Sequence, residues 1–193
     1  MNLNKSRLLL ISLLAFMSCN PIPTYEPYEY STDPVYTQVK IESFGNYFEK
    51  NNIPSSVFSM TLLTSKLTES DGSLSGTGQR LYFENIFAPS NDSILPAGTY
   101  TASETGDSFT FYPGSIKQID NISYSTGTSI DFKEKQVSKN KTQLIINGSF
   151  YLSYLHDSLL ISFDMQTQDG INLKGYYKGK NPKYTTQIGF STK

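Results

Sequence analysis

Three side chains near the end of the chain could together bind a polar ligand. Lys174, Tyr176 and Lys178 alternate with Leu173 and Tyr177, with the period of two expected of a strand that has one apolar face. If the apolar residues face the core, the other three point to solvent on the same side. An exposed tyrosine ring can stack on a sugar ring while its hydroxyl forms hydrogen bonds, so this face is a candidate ligand-binding site.

Tyr82, which lies between Leu81 and Phe83, is a second candidate of the same kind. The alternative interpretation of both Tyr82 and Tyr176 is structural, because outward-facing aromatic residues also cover the second face of a sheet. The chain contains no tryptophan, and this absence weakens the case for a sugar-binding platform.

Residues suited to catalysis are scarce in this sequence. His156 is the only histidine, which excludes a metal site built from several histidines of one chain, and Asp157 beside it indicates a polar turn. The Gly-x-Ser-x-Gly motif of serine hydrolases is absent. The carboxylates considered for a glycosidase pair are Glu84, Asp107, Asp131 and Asp164, but nothing in the sequence brings two of them to a suitable separation. We therefore expect no catalytic activity, no metal and no cofactor.

Cys19, the only cysteine, offers a different chemistry. It follows a basic start with Lys5 and Arg7, an apolar run over residues 8–17 and the small residue Ser18, which is the layout of a secretory signal. The run is about half the roughly 20 residues of a membrane-spanning helix. This order resembles the signal of bacterial lipoproteins. The resemblance implies cleavage of residues 1–18, acylation of the Cys19 thiol and anchoring in the outer membrane, where we favour the surface over the periplasmic face.

Ser93 and Ser158 are candidates for a second modification. Ser93 stands between an aspartate and an isoleucine, and Ser158 between an aspartate and a leucine. Both triplets resemble the acceptor sequence for O-glycosylation in Bacteroidota envelopes. We expect both serines to lie in loops, as an acceptor must.

The composition indicates an all-β fold. Charged residues make up only 17% of the chain, whereas 14 tyrosines and 12 phenylalanines favour strands. Loss of the signal changes the net charge from −1 to about −3, and no basic face indicates nucleic-acid binding. Residues 19–37 contain four prolines and are interpreted as a tether, which leaves residues 38–193 as a single domain.

Alternating apolar residues are clearest over residues 143–180, where they predict a three-stranded meander. In its middle strand Phe163 is expected to face the core and Asp164 the solvent. Asp-Gly pairs at 71–72 and 169–170 predict hairpin turns, and residues 85–93 are expected to form an exposed loop. We predict an antiparallel β-sandwich of about ten strands, with a lipocalin-like closed barrel as the alternative.

Four segments carry a wider resemblance. They are LPAGTYT at 95–101, NGSF at 147–150, LLISFDMQTQDG at 159–170 and LKGYYKG at 173–179. Together with the signal they resemble a group of largely uncharacterised outer-membrane lipoproteins of gut Bacteroidota. The resemblance implies a β-rich fold and a place in the cell envelope, and it assigns no functional residue.

We therefore expect a lipid-anchored, non-catalytic envelope protein that acts as a ligand-binding or adhesion module, with a glycan or host material as ligand. The alternative is a structural or assembly subunit of an envelope complex, in which exposed strand edges meet partner proteins. A hydrolase is the third and least favoured hypothesis.

Replacing the lipid-bearing residue tests the anchor. Cys19→Ala should abolish labelling by a fatty-acid analogue and move the protein out of the membrane fraction, because one acylated cysteine is the only anchor that the sequence offers. Unchanged membrane fractionation of this variant would contradict the lipoprotein assignment.

Overall fold

The structure is a computed structural model and describes residues 31–135 and 140–186. The predicted signal peptide, Cys19 and the tether up to residue 30 lie outside the described residues. Within the described ranges, no helix is long and apolar enough to cross a membrane.

Fifteen strands and one short 3-10 helix (Glu49–Asn51) make up the regular structure of the described residues. The strands are β1 (Val35–Tyr36), β2 (Gln38–Gly45), β3 (Ser56–Leu63), β4 (Leu67–Ser70), β5 (Ser73–Gly76), β6 (Gly78–Ala88), β7 (Gly98–Ala102), β8 (Thr110–Phe111), β9 (Ser115–Ile119), β10 (Ile122–Thr126), β11 (Ser129–Lys133), β12 (Lys141–Leu155), β13 (Ser158–Thr167), β14 (Asn172–Lys180) and β15 (Thr185–Thr186).

Eleven strands form one sheet, and five of them close into a ring. Around the ring the order is β6, β8, β7, β12 and β11, because β11 pairs with both β6 and β12. Two arms extend from the ring: β3, β2 and β15 continue from β6, and β13, β14 and β1 continue from β12. Two small hairpins, β4–β5 and β9–β10, are separate two-stranded sheets.

Irregularities in β6 and β12 allow the ring to close. Strand β6 has an extra residue opposite the step from Phe58 to Met60 of β3. This irregularity lies next to the point where the other edge of β6 changes its partner from β11 to β8. In β12 the register against β13 shifts between Ile145 and Asn147, where β12 changes its partner from β11 to β7. A bulge bends a strand and increases its local twist, so each long strand can serve two neighbours in turn.

The two arms are also linked on the side away from the ring. The chain passes at Thr37 from β1, which pairs with β14, to β2 in the other arm. It passes back after Lys180 to β15, which pairs with β2. The core therefore lies between the arms and inside the ring, and it contains Phe58, Met60, Leu81, Phe83, Phe150, Leu159, Ile161, Phe163 and Tyr177, among others.

The folded unit begins before the predicted boundary at residue 38. Tyr36 is only 1% exposed, and its ring lies 5.7 Å from that of Phe163. Pro34 is also buried, and its carbonyl oxygen accepts a hydrogen bond from the backbone N–H of Tyr176. Residues 31–37, which we assigned to the tether, thus belong to the packed structure in this region, because an aromatic side chain fills the gap between the two arms.

The prediction of an exposed loop over residues 85–93 is wrong for its first part. Strand β6 continues to Ala88, and Ile86, Phe87 and Ala88 are fully buried. The bulge next to Glu84 interrupts the alternation of apolar residues, so the sequence pattern hides the end of the strand.

The predicted meander is present as β12, β13 and β14, joined in antiparallel register. Phe163 is buried and pairs with Phe150, whereas Asp164 is exposed and pairs with Lys174 across the sheet. The all-β prediction is confirmed, and the alternative barrel fits in part because five strands close. Three of the pairings, β1–β14, β7–β8 and β2–β15, are parallel.

Two neighbouring substitutions test the register of β13. Phe163→Ala should lower the free energy of unfolding by about 3 to 5 kcal/mol, because it leaves a cavity in the core. Asp164→Ala should change it by less than about 0.5 kcal/mol, because its ion pair with Lys174 is exposed to solvent. Urea denaturation of the two variants measures both values, and similar losses of stability would contradict this register.

Candidate ligand-binding site

Three adjoining cavities lie along the outer face of β6, and we call them together the β6 groove. The first, of 420 Å³, lies between β2, the β4–β5 hairpin and β6. The second, of 310 Å³, lies over β6, β11 and the start of β12. The third, of 510 Å³, lies between the 3-10 helix region, β6 and the base of the β9–β10 hairpin.

Strand β6 provides the side chains that connect these cavities. Leu81 and Phe83 point into the core, so alternation turns Arg80, Tyr82 and Glu84 to the outer face. Arg80 and Tyr82 line both the first and the second cavity, and Glu84 lines both the second and the third. The groove is therefore continuous along one strand.

Arg80 is held by two carboxylates from different elements. Its guanidinium lies 2.6 Å from Glu69 of β4 and 2.6 Å from Asp131 of β11, and Thr142 of β12 donates its hydroxyl to the same aspartate. Burial alone would lower the pKa of Arg80, but Asp131 and Glu69 together raise it above its ordinary value. The Asp131 side chain is only 4% exposed. Because Arg80 pairs with both Glu69 and Asp131, it connects the β4–β5 hairpin to the five-strand ring.

Tyr82 forms the floor between the first two cavities. The Arg80 guanidinium lies 5.4 Å from the centre of its ring, at the distance of a cation–π contact. Burial and the nearby Glu84 raise the pKa of the Tyr82 hydroxyl, so it stays protonated at neutral pH and can donate a hydrogen bond. The aromatic ring of Tyr82 is half-buried, and the Arg80 guanidinium packs against it.

Glu84 connects the groove to the β9–β10 hairpin. Its carboxylate accepts a hydrogen bond of 2.5 Å from the backbone N–H of Gly127, the residue after β10. Gly127 has φ of +81°, and a Cβ there would approach the carbonyl oxygen of Pro113 to 2.1 Å. A glycine is thus required at this position, because the two ends of the hairpin are pressed together beside Glu84.

Aromatic residues enclose the far end of the groove. Tyr112 and Phe48 line the third cavity, and both rings contact Phe87, which points outward after the bulge in β6. Ring centres are 4.5 Å apart for Phe87 and Tyr112 and 6.1 Å apart for Phe48 and Phe87. Glu104 and Lys117 add charges at the rim.

The structure separates the residues that the sequence suggested as one kind of site. Tyr82 lies in the groove, whereas Tyr176, Lys174 and Lys178 lie on β14, at the outer face of the opposite arm. Tyr176 is 46% exposed, and Lys174 forms an ion pair with Asp164. The two cavities that Tyr82 lines contain no residue of β14, so one small ligand bound there does not contact Tyr176.

The two serines proposed for glycosylation have different surroundings. Ser93 is exposed between β6 and β7, as expected of a loop residue. The loop prediction for Ser158 is wrong, because this residue opens β13 and pairs with Leu155 and Lys180. His156 and Asp157 form the turn between β12 and β13, as predicted.

The carboxylates considered for catalysis do not meet in one place. Glu84 and Asp131 line the same cavity, but Asp131 lies opposite Arg80, four residues before Glu84, or about 13 Å along the strand. Asp164 lies on the outer face of β13, Asp107 is exposed between β7 and β8, and His156 is exposed in a turn. Among the described residues, no group of three or more His, Cys, Asp or Glu side chains is arranged to hold a metal ion.

No protein-family model, curated protein or solved structure matches this chain. The groove is therefore interpreted from its own geometry. Sequence analysis identified Tyr82 but missed Arg80 as its neighbour and Glu69 as a partner of Arg80. The alternation that turns Tyr82 outward also turns Arg80 and Glu84 outward, and this signal was present in the sequence.

Removing the guanidinium tests the role of the ion-pair cluster. Arg80→Met should lower the free energy of unfolding by about 3 kcal/mol, because it leaves the Asp131 carboxylate buried without its cation. Lys174→Met is the matched control at an exposed pair and should have an effect of less than about 0.5 kcal/mol. If the two variants are equally stable in urea, the cluster does not hold the β4–β5 hairpin in place.

Proposed function

We propose that this protein is a non-catalytic ligand-binding module of the cell envelope, anchored through Cys19, and that it binds a glycan in the β6 groove. The observation that carries the proposal is the position of Tyr82, an aromatic ring fixed on the floor of two adjoining polar cavities. The fold on which we base it is a sandwich of two arms, joined on one side by the five-strand ring.

The chemistry of the groove suits a sugar. The apolar face of a sugar ring can lie on the face of the tyrosine ring opposite the Arg80 guanidinium, while the hydroxyl groups of the sugar need donors and acceptors around the edge. The Tyr82 hydroxyl, Glu84, Ser129 and Thr126 line the second cavity and offer both kinds of group. Each of the three cavities is within the usual size range of small-molecule sites, about 300 to 1,000 Å³, so the groove has room for more than one sugar unit.

The charge of the groove narrows the class of glycan. Six carboxylates and three cations are among the described residues that line it, and the Arg80 cation is already shared by two of the carboxylates. An acidic sugar would meet repulsion there, whereas a neutral or amino sugar would not. We therefore propose a neutral or amine-bearing glycan rather than one that carries uronic acids.

Ser31, the first described residue, contacts the start of β6. The backbone of Ser31 exchanges two hydrogen bonds with the side chain of Gln79, at the start of β6. The lipid anchor would therefore be joined to the domain near the Arg80 end of the groove. Phe87 lies eight residues further on, about 26 Å along the strand, so the aromatic end of the groove is the end farther from this attachment point.

Two tyrosine substitutions test this function. Tyr82→Ala should weaken binding to a neutral or amino-sugar oligosaccharide by about tenfold, since it removes the stacking surface, whereas Tyr82→Phe should keep most of it. Tyr176→Ala, on the arm that contains β14, is the matched control and should bind the oligosaccharide as the native protein does. The measurement is a glycan array followed by calorimetric titration of the best ligand.

Two results would count against the proposal. Binding that is lost in Tyr176→Ala and kept in Tyr82→Ala would move the site to β14. A native protein that binds no glycan on the array, under conditions in which it is folded, would contradict the glycan assignment itself.

A further inference from the structure

The β9–β10 hairpin, residues 115–126, is the most exposed apolar feature of the described structure. It is a two-stranded sheet of its own, and within the described residues its strands pair only with each other. Four of its large apolar side chains are between 46% and 61% exposed: Ile116, Ile119, Ile122 and Tyr124. Exposed apolar residues that are scattered singly are ordinary, but a cluster of four in twelve residues indicates an interaction surface.

One face of the hairpin carries most of this apolar surface. Ile119 pairs with Ile122 next to the turn, and Tyr124 pairs with Lys117 one step below. Cross-strand partners and residues two apart share a face, so Ile119, Ile122, Tyr124 and Lys117 lie on the same side of the hairpin. Lys117 also lines the third cavity of the groove, which shows that this face continues into that cavity.

The hairpin is held at its base and formed by a tight turn. The hydrogen bond from Gly127 to Glu84 and a 3.1 Å contact between the hydroxyls of Ser115 and Thr126 fix its two ends. Asp120 and Asn121 have φ of +50° and +64°, as in the two-residue turns that suit the twist of a hairpin. Its apolar face is therefore presented to solvent in a defined orientation.

We infer that the β9–β10 hairpin is a docking element that accepts an extended strand of a partner protein, in which apolar side chains and a terminal basic side chain lie on the same face. The strand pairs with a free edge of the hairpin through backbone hydrogen bonds, and its apolar side chains cover Ile119, Ile122 and Tyr124. Glu84 and Glu104 in the adjoining cavity favour basic residues on that strand, since Lys117 is the only cation among the described residues that line this cavity.

The observations disfavour two other occupants. A second copy of the chain would bring the same excess of carboxylates, Glu84 and Glu104 against Lys117, so its charges would not complement those of this cavity. A lipid surface favours basic residues at the point of insertion, but the turn of the hairpin presents Asp120. A partner strand does not meet these obstacles, because the backbone of the hairpin edge provides much of its binding energy. This inference does not depend on glycan binding at Tyr82.

The test uses three peptides and the chain from Asn20 to Lys193, observed by amide NMR. The probe is a nine-residue peptide, Lys-Thr-Val-Thr-Val-Thr-Val-Thr-Lys, whose valine and lysine side chains share one face when the peptide is extended. The second peptide is the same sequence with every second backbone amide methylated, which blocks strand pairing, and the third replaces lysine with glutamate. We expect the probe to shift the amide signals of residues 115–126 and both control peptides to bind about tenfold more weakly or less.

Protein variants complete the experiment. Ile119→Ser with Ile122→Ser should weaken binding of the probe by about tenfold while the melting temperature stays unchanged, because both side chains are exposed. Leu155→Ser, at an equally exposed position at the end of β12, and Tyr82→Ala should leave binding of the probe unchanged.

Several outcomes would overturn the inference. They are no binding of the probe, equal binding of the methylated peptide, shifts confined to other parts of the chain, and binding that survives the double substitution. Self-association or binding to lipid vesicles that depends on Ile119 and Ile122, without peptide binding, would assign the hairpin to one of the two other occupants.

Discussion

Phe150 of β12 is the residue around which the inside of the five-strand ring is packed. Its ring stacks on Tyr100 of β7, with 4.7 Å between centres and 6° between planes, and it also contacts Phe83 of β6 and Phe111 of β8. Four of the five strands of the ring therefore share one buried aromatic cluster. Such contacts stabilise the fold beyond the burial of area alone, and they hold the long strands β6 and β12 at a fixed separation.

The polar outer face of β6 follows from this inner packing. Once Phe83 is fixed in the aromatic cluster, the pleat of the strand turns Tyr82 and Glu84 outward, and the closure of the ring by β11 brings Asp131 beside Arg80. The bulge next to Glu84 has a second effect, because it turns Phe87 outward to meet Tyr112. A polar section and an aromatic section thus come to lie along one strand.

We propose two different kinds of recognition for the groove and the hairpin of this scaffold. In the groove, donors and acceptors surround a fixed aromatic ring, which is the arrangement for a compact ligand with many hydroxyl groups. On the β9–β10 hairpin, an apolar face and free backbone edges suit an extended chain. Glu84 links them, since it lines the groove and also holds the base of the hairpin through Gly127. An envelope module that binds a glycan and docks to a partner protein would use both surfaces.

Local patterns in the sequence were enough to predict part of this fold. Strict alternation placed Phe163 inside and Asp164 outside, and it turned Tyr177 inward and Tyr176 outward, as the structure shows. The Asp-Gly pair at residues 71–72 joins β4 and β5 as a hairpin turn. These features could be predicted because the period of a strand and the geometry of a tight turn are properties of neighbouring residues.

Other features depend on which strands become neighbours, and only the tertiary structure decided them. Ser59 and Thr61 occupy the polar positions of an alternating strand, yet both are buried, because side chains of β2 and β6 cover that face. The sequence pattern places Tyr36 in a proline-rich tether, but its side chain is buried in the core between the two arms. Tyr82 and Tyr176 look equivalent in sequence, since each is an outward tyrosine on an alternating strand. Ring closure gave Tyr82 walls on both sides and left Tyr176 on an open face, because the surroundings of an outward side chain come from distant parts of the chain.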